Sequence, residues 1–218
     1  MHHETREFAD PDDLAAAAAD YIAERARRAV AAKGTFHFAV SGGKTPRSMF
    51  AALRGRDVPW AQSVIYQVDE RVAPLGDSER NLTILVETLA GVAPLIKPMP
   101  VNDVDLDGAA EHYAELLPER LDLVHLGIGP DGHTASLVPG DPVLDVNDRL
   151  VATTGEYQGR RRMTFTYPAL ARADQLLWVI TGSNKRAALA KLLSDDETIP
   201  AARVQAARSL VMADRSAM

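Results

Sequence analysis

Near its middle the chain reads LDLVHLGIGPDGHTASL over residues 121–137, an apolar run followed by a turn with three glycines. The apolar run predicts a buried strand, and the glycines allow the following backbone to lie close to a ligand. The turn carries His133, a candidate general base because imidazole titrates near neutral pH, and Asp131, which could orient the ring or fix its tautomer. The alternatives are a structural histidine that satisfies loop carbonyls and a turn-forming aspartate.

Short apolar strands alternate with helical segments on both sides of this turn. Asp10 is a predicted N-cap, Pro11 the first helical residue and Gly34 the stop of the first helix. The other segments are strands at 35–40, 63–68, 121–126, 151–154, 163–166, 176–181 and 209–212, and helices ending near 53 and 91 or spanning about 108–117 and 184–193. This alternation predicts an α/β fold, a mostly parallel doubly wound, Rossmann-like sheet with helices on both faces, as one domain over residues 1–218. The run 144–162 is expected to be a long loop around one weak strand, an edge or a lid.

The composition excludes several classes of function. A chain of 218 residues without cysteine can form a large core, but it has no disulfide, no thiolate nucleophile and no cysteine-ligated metal. The net charge of −6 argues against nucleic acid or an anionic membrane as the main partner. No apolar run reaches the ~20 residues of a membrane span and the N-terminus lacks a secretory pattern, so we expect a cytoplasmic protein with a small-molecule ligand. The oligomeric state stays open between a monomer and a small homo-oligomer.

Polar clusters follow four of the predicted strands at their carboxyl ends, where parallel sheets bind ligands. They are Ser41-Gly42-Gly43 with Lys44 and Thr45, Asp69-Glu70-Arg71, Asp131 with His133, and Thr181-Gly182-Ser183 with Asn184 and Lys185. The glycine pair could present backbone N–H groups to an anion at a helix N-terminus, or it could serve only as a tight turn. A Walker loop is excluded, because that motif requires glycine where Phe38 stands.

Charged residues in these clusters admit two interpretations each. Asp69-Glu70-Arg71 is either a solvated loop ion pair or an arginine that holds an anionic group, with Asp69 positioning it or accepting a sugar hydroxyl. Arg160-Arg161-Arg162 and Lys185 would ordinarily be solvated, but cations beside a phosphate would explain both.

Two other motifs carry no function in this interpretation. Residues 127–132 formally match the dinucleotide fingerprint, but Pro130 and Pro139 leave too little helix after it, so we expect neither a nicotinamide nor a flavin. Among the other histidines, His37 and His112 are expected at packing or surface positions, and His125 in the core.

Taken together, these residues resemble the 6-phosphogluconolactonases, a branch of the larger family that also contains glucosamine-6-phosphate deaminases. The resemblance covers most of the chain and rests on five segments: Ser41–Gly43, Asp69–Arg71, Gly127–Leu137, Arg162–Thr166 and Thr181–Lys185. The lactonase branch is favoured because His133 continues as Thr134-Ala135-Ser136-Leu137, whereas the deaminase branch carries Ile-Ala-Phe-Asn-Glu, whose glutamate completes its catalytic relay. Lys44 departs from the family, which more often has a small hydroxyl residue there.

The resemblance implies hydrolysis of 6-phospho-D-glucono-1,5-lactone to 6-phosphogluconate, a step of the pentose phosphate pathway, without a cofactor or a metal. It implies that His133 is the general base and that Asp131, Asp69 and Arg71 line and polarise the site. The substrate phosphate would be held by the loop Ser41, Gly42 and Gly43 with Thr45, Arg162 and Lys185. Two alternatives remain: a glucosamine-6-phosphate deaminase or isomerase that uses Asp69 for proton abstraction, and a sugar-phosphate-binding module without catalysis.

Overall fold

The computed structural model describes residues 2–218, except the side chain of Lys44, and its strands form two sheets. The strands are β1 (His3–Phe8), β2 (Phe36–Val40), β3 (Ser63–Gln67), β4 (Asp69–Arg71), β5 (Leu95–Lys97), β6 (Leu123–Leu126), β7 (Val151–Thr153), β8 (Arg162–Phe165), β9 (Leu176–Ile180) and β10 (Ser209–Asp214). The helices are α1 (Pro11–Lys33), α2 (Lys44–Arg54), α3 (Asn81–Thr88), α4 (Leu106–Glu115), α5 (Tyr167–Leu170) and α6 (Arg186–Leu193). Short 3₁₀ turns include one at Ser183–Lys185, directly before α6.

The central sheet has seven strands in the order β1-β10-β9-β6-β2-β3-β5, and each neighbouring pair is parallel. From β2 the chain continues to β3 and β5 on one side, and then returns to β6, β9 and β10 on the other. The strand order therefore reverses between β2 and β6. In open α/β sheets a crevice forms at the carboxyl ends of the strands at such a point, and ligands bind there. The expected α/β fold with a mostly parallel sheet is confirmed.

Successive residues of the central strands point into two separate apolar clusters, one on each face of the sheet. Trp178 of β9 lies in one cluster, which includes buried residues of α4 and α6, while its neighbours Leu177 and Val179 lie in the other, which includes buried residues of α1, α2 and α3. A strand buried on both faces has an apolar residue at nearly every position, and β9 reads LLWVI. This explains why its pattern predicted a strand without alternation.

The first helix begins and ends as its sequence predicts. The Asp10 side chain accepts hydrogen bonds from the amides of Asp12 and Asp13, and Pro11 occupies the first turn. Gly34 ends the helix with φ 81°, and its N–H donates to the carbonyl of Val30.

The sequence interpretation missed the second sheet, which has three antiparallel strands in the order β4-β8-β7. The segment Asp69–Arg71, expected as the end of a central strand, is an edge strand of this sheet, and its pairing with β8 sets Arg71 opposite Arg162. The expected loop at 144–162 contains β7, so the weak strand exists and lies at an edge. Antiparallel pairing between segments about 90 residues apart leaves no local signal in three-residue strands.

Two further strands of the central sheet were also missed. β1 pairs with β10 at one edge, where the His3 ring nitrogen Nδ1 lies 2.7 Å from the hydroxyl of Ser209. β5 pairs with β3 at the other edge. Both lie at edges, and half-exposed edge strands lack the apolar run that identified the central ones.

None of the helices described for residues 2–218 is long and apolar enough to span a membrane.

His125 of β6 is fully buried, as expected, and neither of its ring nitrogens has a hydrogen-bond partner among the described residues. Its ring meets that of Phe50 edge-on, with 6.1 Å between the ring centroids. Burial lowers the pKa of His125 to about 3. Below pH 6.5 the unfolded chain therefore takes up a proton that the folded chain does not, so acidification favours unfolding.

We expect His125→Leu to remove this acid sensitivity. Its unfolding free energy relative to wild type should rise by about 2 kcal/mol between pH 7.5 and pH 5, measured by urea denaturation at both pH values. His112→Leu, at an exposed position, is the control and should follow the wild type. If wild type and His125→Leu lose stability in parallel on acidification, the buried imidazole is not the acid-sensitive group.

Candidate active site

A cavity of about 440 Å³ opens at the carboxyl ends of the central strands. Its wall contains every residue for which the sequence predicted a site role except Asp131, namely Ser41, Gly42, Gly43, Thr45, Asp69, Arg71, His133, Arg162 and Lys185. Asp131 does not line the cavity itself but is hydrogen-bonded to His133. Residues from five separate segments of the chain thus converge on the crevice at the reversal between β2 and β6.

The loop after β2 leads directly into α2 and presents an uncapped helix N-terminus to the cavity. Ser41 anchors the loop, since its amide and its hydroxyl both donate to the carbonyl of His125 at 3.2 Å. Gly43 is the N-cap with φ 121°, a conformation that requires glycine, and no side chain caps the helix. Among the described residues, none accepts a hydrogen bond from the amides of Gly42 or Gly43. Free amides at the positive end of a helix form a site suited to an anion.

The loop after β6 holds His133 and Asp131 as a hydrogen-bonded pair. His133 Nδ1 lies 2.6 Å from Asp131 Oδ1, and the His133 amide donates to the same oxygen at 3.2 Å. Burial opposes ionisation of Asp131, but the charge of His133 and hydrogen bonds from His133 and Tyr157 outweigh it and lower the pKa of Asp131. An ionised carboxylate only accepts, so the proton lies on Nδ1. In the neutral imidazole, Nε2, which has no partner among the described residues, is left as an acceptor.

Gly129 makes room for this pair. A Cβ atom built at Gly129 would lie 2.1 Å from His133 Nδ1 and 2.5 Å from Asp131 Oδ1. The loop closes on itself through the Gly129 amide, which donates to the carbonyl of His133 at 2.8 Å. Glycine is therefore needed at position 129 because the backbone lies close to the side chains of His133 and Asp131, and not because it lies close to a ligand.

On β4, Asp69 and Arg71 face the cavity and Glu70 points the other way, because successive side chains of a strand alternate. Asp69 is buried and its Oδ2 accepts from the Ser136 hydroxyl at 2.7 Å. Burial raises the pKa of Asp69, opposed by the Ser136 hydrogen bond and by Arg71 and Arg162. Asn81 connects the group: its Nδ2 donates to Asp69 Oδ1 at 3.1 Å, and its Oδ1 accepts from Arg71 Nη1 at 3.0 Å.

Glu70 is fully buried, so the interpretation of this cluster as a solvated ion pair is wrong. Its carboxylate accepts hydrogen bonds from the amides of Asn81 and Leu82 at the start of α3, at 2.9 and 2.8 Å, and from Gln67 Nε2 at 2.9 Å. Arg80 Nε lies 3.4 Å from it as a buried ion pair. Glu70 therefore joins β4 to α3 and fixes the strand that carries Asp69 and Arg71.

Of the three consecutive arginines, only Arg162 lines the cavity. Arg160 pairs with Asp77 and Glu79 at 3.2 and 3.0 Å, while Arg161 is exposed. Burial lowers the pKa of Arg162, and Asp69 opposes the effect. Its Nε is buried without a partner among the described residues, and its Nη2 donates to Gln158 Oε1 at 3.4 Å.

The turn after β9 supplies Lys185 to the cavity wall. The hydroxyls of Thr45 and Thr181 lie 2.7 Å apart and tie the start of α2 to the end of β9. Lys185 belongs to the 3₁₀ turn before α6, and burial lowers its pKa, opposed by the charge of Asp131. The side chain of Lys44, whose role the sequence left open, lies outside the described residues.

The charge balance of the cavity favours an anionic ligand. Arg71 and Arg162 are cross-strand neighbours, and like charges in that position repel each other. Among the described lining residues, Asp69 is the one carboxylate that offsets Arg71, Arg162 and Lys185. A bound anion would relieve this repulsion.

Sequence reasoning missed three polar residues of the site: Asn81, Ser136 and Tyr157. Asn81 was recognised only as the start of a helix, and Ser136 only as part of the glycine–histidine segment. Tyr157 lies in the segment expected to be a loop. Their partners are distant in the sequence, so no local pattern indicates these contacts.

The chain is similar to known proteins over most of its length. Residues 9–212 match the family described as glucosamine-6-phosphate isomerases/6-phosphogluconolactonase. A 6-phosphogluconolactonase of Rhizobium meliloti is 36% identical over 84% of each chain, and one of Synechocystis is 32% identical over 87% of this chain and 86% of its own. The crystal structure of a 6-phosphogluconolactonase from Shewanella baltica superposes with a TM-score of 0.88 at 25% identity, over 98% of both chains.

We expect Glu70→Gln to lower the unfolding free energy by about 3–5 kcal/mol, because it leaves Arg80 as a buried charge without its counter-ion. Urea denaturation at neutral pH measures the effect. Glu79→Gln removes an exposed carboxylate of the same region and should change stability by about 1 kcal/mol or less. Equal effects of the two substitutions would contradict the structural role assigned to Glu70.

Proposed function

The chain belongs to the family of glucosamine-6-phosphate isomerases and 6-phosphogluconolactonases, and on that premise we propose that it hydrolyses 6-phospho-D-glucono-1,5-lactone to 6-phosphogluconate. The observation that carries the proposal is that His133, hydrogen-bonded to Asp131, lies on the wall of a cationic cavity. This arrangement combines a base with a site for a phosphorylated substrate.

The phosphate lies at the N-terminus of α2 in this proposal. The free amides of Gly42 and Gly43 donate to it, and Arg162 and Lys185 neutralise it. Thr45 holds the loop through its contact with Thr181. The phosphate is remote from the reacting carbon of the lactone, so its binding energy orients the ring against the base.

His133 Nε2 acts as the general base. It removes a proton from a water molecule as the water oxygen bonds to C1 of the lactone. Asp131 accepts from Nδ1, which fixes the tautomer that leaves Nε2 free and stabilises the imidazolium that forms.

The negative charge that develops on the carbonyl oxygen is stabilised by a cation, for which Arg71 is the candidate. Asn81 and the carbonyl of Glu79 hold its Nη1. Collapse of the tetrahedral intermediate breaks the bond between C1 and the ring oxygen, and the proton on His133 passes to that oxygen. Asp69, which already accepts hydrogen bonds from Ser136 and Asn81, accepts another from a hydroxyl of the sugar.

The sequence after His133 favours lactone hydrolysis over deamination. In the expected deaminase continuation the glutamate falls at position 138, where this chain has the buried residue Val138. Instead, Thr134 donates to the carbonyl of Gly127 at 2.8 Å and Ser136 donates to Asp69. These hydroxyls stabilise the loop and do not supply an acid or a base for a relay.

The proposal is tested by generating 6-phosphogluconolactone in situ and comparing its consumption with and without the protein. We expect a large acceleration over the spontaneous rate. Ammonia release from glucosamine 6-phosphate, without acceleration of lactone hydrolysis, would establish the deaminase instead. Tight binding of 6-phosphogluconate without turnover of either substrate would indicate a binding module.

We expect His133→Ala to lower kcat by about 10²–10⁴-fold with little change in KM, because it removes the base and leaves the phosphate contacts in place. Steady-state kinetics measures both constants. His112→Ala, at an exposed position in α4, is the control and should match the wild type. An unchanged kcat in His133→Ala would eliminate this histidine as the base.

We expect Arg162→Ala and Lys185→Ala to raise KM by about 10- to 100-fold, since each removes a charge-assisted hydrogen bond to the phosphate. The effect on kcat should be smaller. Arg161→Ala removes the exposed neighbour of Arg162 and should leave KM unchanged. A rise in KM of the same size in all three variants would point to a general effect of charge and not to a phosphate site.

A further inference from the structure

Tyr157 lies at the start of a tight turn between β7 and β8, outside the segments that carry the proposed chemistry. Its amide donates to the carbonyl of Arg160 at 3.0 Å, and the Arg160 amide donates back at 3.3 Å. The two residues between them, Gln158 and Gly159, have φ of 53° and 75°. Two positive φ values in a two-residue connection define a hairpin turn of type I′. The turn fixes the backbone position of Tyr157, and the residue is half-buried.

The hydroxyl of Tyr157 contacts the base pair. It donates to Asp131 Oδ2 at 3.2 Å, while Asp131 Oδ1 serves His133. Burial and the charge of Asp131 raise the pKa of Tyr157, so the hydroxyl keeps its proton and remains a donor. The ring also meets the imidazole of His133 nearly edge-on, with 5.4 Å between centroids and 65° between planes. Tyr157 thus restrains both members of the pair.

The ring of Tyr157 also supports Arg162. The guanidinium carbon lies 5.0 Å from the ring centroid, a cation–π arrangement. In the same turn, Gln158 accepts from Arg162 Nη2 at 3.4 Å. Arg162 and His133 both line the cavity, and Tyr157 contacts both of them.

We propose that Tyr157 is a positioning residue that holds the phosphate-binding Arg162 and the His133–Asp131 pair at a fixed separation. Its ring contacts the guanidinium of Arg162, and its hydroxyl donates to Asp131, the partner of His133. The two contacts can therefore be removed separately by substitution. The proposal rests on the proposed function for the roles of Arg162 and His133. If Tyr157 has this role, both the binding of the phosphate and the orientation of the base depend on this one side chain.

The test compares Tyr157→Phe with Tyr157→Leu. Phe keeps the ring and loses the hydroxyl, so kcat should fall about 3- to 10-fold with KM unchanged. Leu also removes the ring, so KM for 6-phosphogluconolactone and the inhibition constant of 6-phosphogluconate should both rise about 3- to 30-fold. If both variants have wild-type KM and inhibition constants, or if Phe raises KM as much as Leu does, the proposal is overturned.

Tyr167 offers a matched control elsewhere in the fold. Its hydroxyl donates to the carbonyl of Pro200 at 3.1 Å, and the guanidinium of Arg203 lies 4.9 Å from its ring centroid. Tyr167→Phe and Tyr167→Leu therefore remove the same two kinds of interaction away from the cavity. They should leave kcat and KM unchanged, and equal kinetic effects at both tyrosines would reduce Tyr157 to a structural residue.

A spectroscopic measurement separates this proposal from the proposed function. The low-field proton resonance of His133 Nδ1–H should move in Tyr157→Phe and stay in place in Tyr167→Phe, because only the former changes the hydrogen bonds of Asp131. A wild type that does not accelerate lactone hydrolysis would overturn the proposed function alone. An Nδ1–H resonance unmoved by Tyr157→Phe would overturn the role of Tyr157, whatever the activity.

Discussion

The cavity depends on the hydrogen bonds and the ion pair of the buried Glu70 carboxylate. This carboxylate accepts hydrogen bonds from the first amides of α3 and pairs with Arg80, so it fixes β4, an edge strand of the second sheet, against this helix. A charged side chain that is buried away from water requires a counter-ion and hydrogen bonds of this kind. Because strand side chains alternate, fixing Glu70 on one face directs Asp69 and Arg71 into the cavity on the other. One non-catalytic carboxylate thereby orients two residues of the proposed site.

The parallel sheet supplies the other two walls by its topology. The reversal of strand order between β2 and β6 opens a crevice, with an uncapped helix N-terminus on one side and the His133 loop on the other. The Ser41 hydroxyl and amide donate to the carbonyl of His125. These bonds join the loop before α2 to β6, the strand that leads into the His133 loop. The proposed phosphate site and the proposed base are therefore built on adjacent strands of a rigid sheet.

The sequence predicted β2, β3, β6, β9 and β10 of the central sheet and most of the polar residues that line the cavity, because these depend on local patterns. Apolar runs mark buried strands, and glycine or hydroxyl residues after them mark strand ends. The second sheet, Asn81 and Tyr157 were missed because they depend on contacts between distant segments. Pairing of β4 with β8 brings Arg71 opposite Arg162, and the turn at Gln158 and Gly159 brings Tyr157 to Asp131. The catalytic and phosphate-binding roles and the single domain over residues 1–218 remain predictions.

The central claim is that one end of a sugar phosphate binds at the start of α2 while the other end meets His133. A crystal structure with bound 6-phosphogluconate tests it most directly. The account predicts phosphate oxygens within about 3.2 Å of the amides of Gly42 and Gly43, with the C1 carboxylate within the same distance of His133 Nε2. A ligand bound in the reverse direction, with its phosphate against His133, or bound outside the cavity, would contradict it.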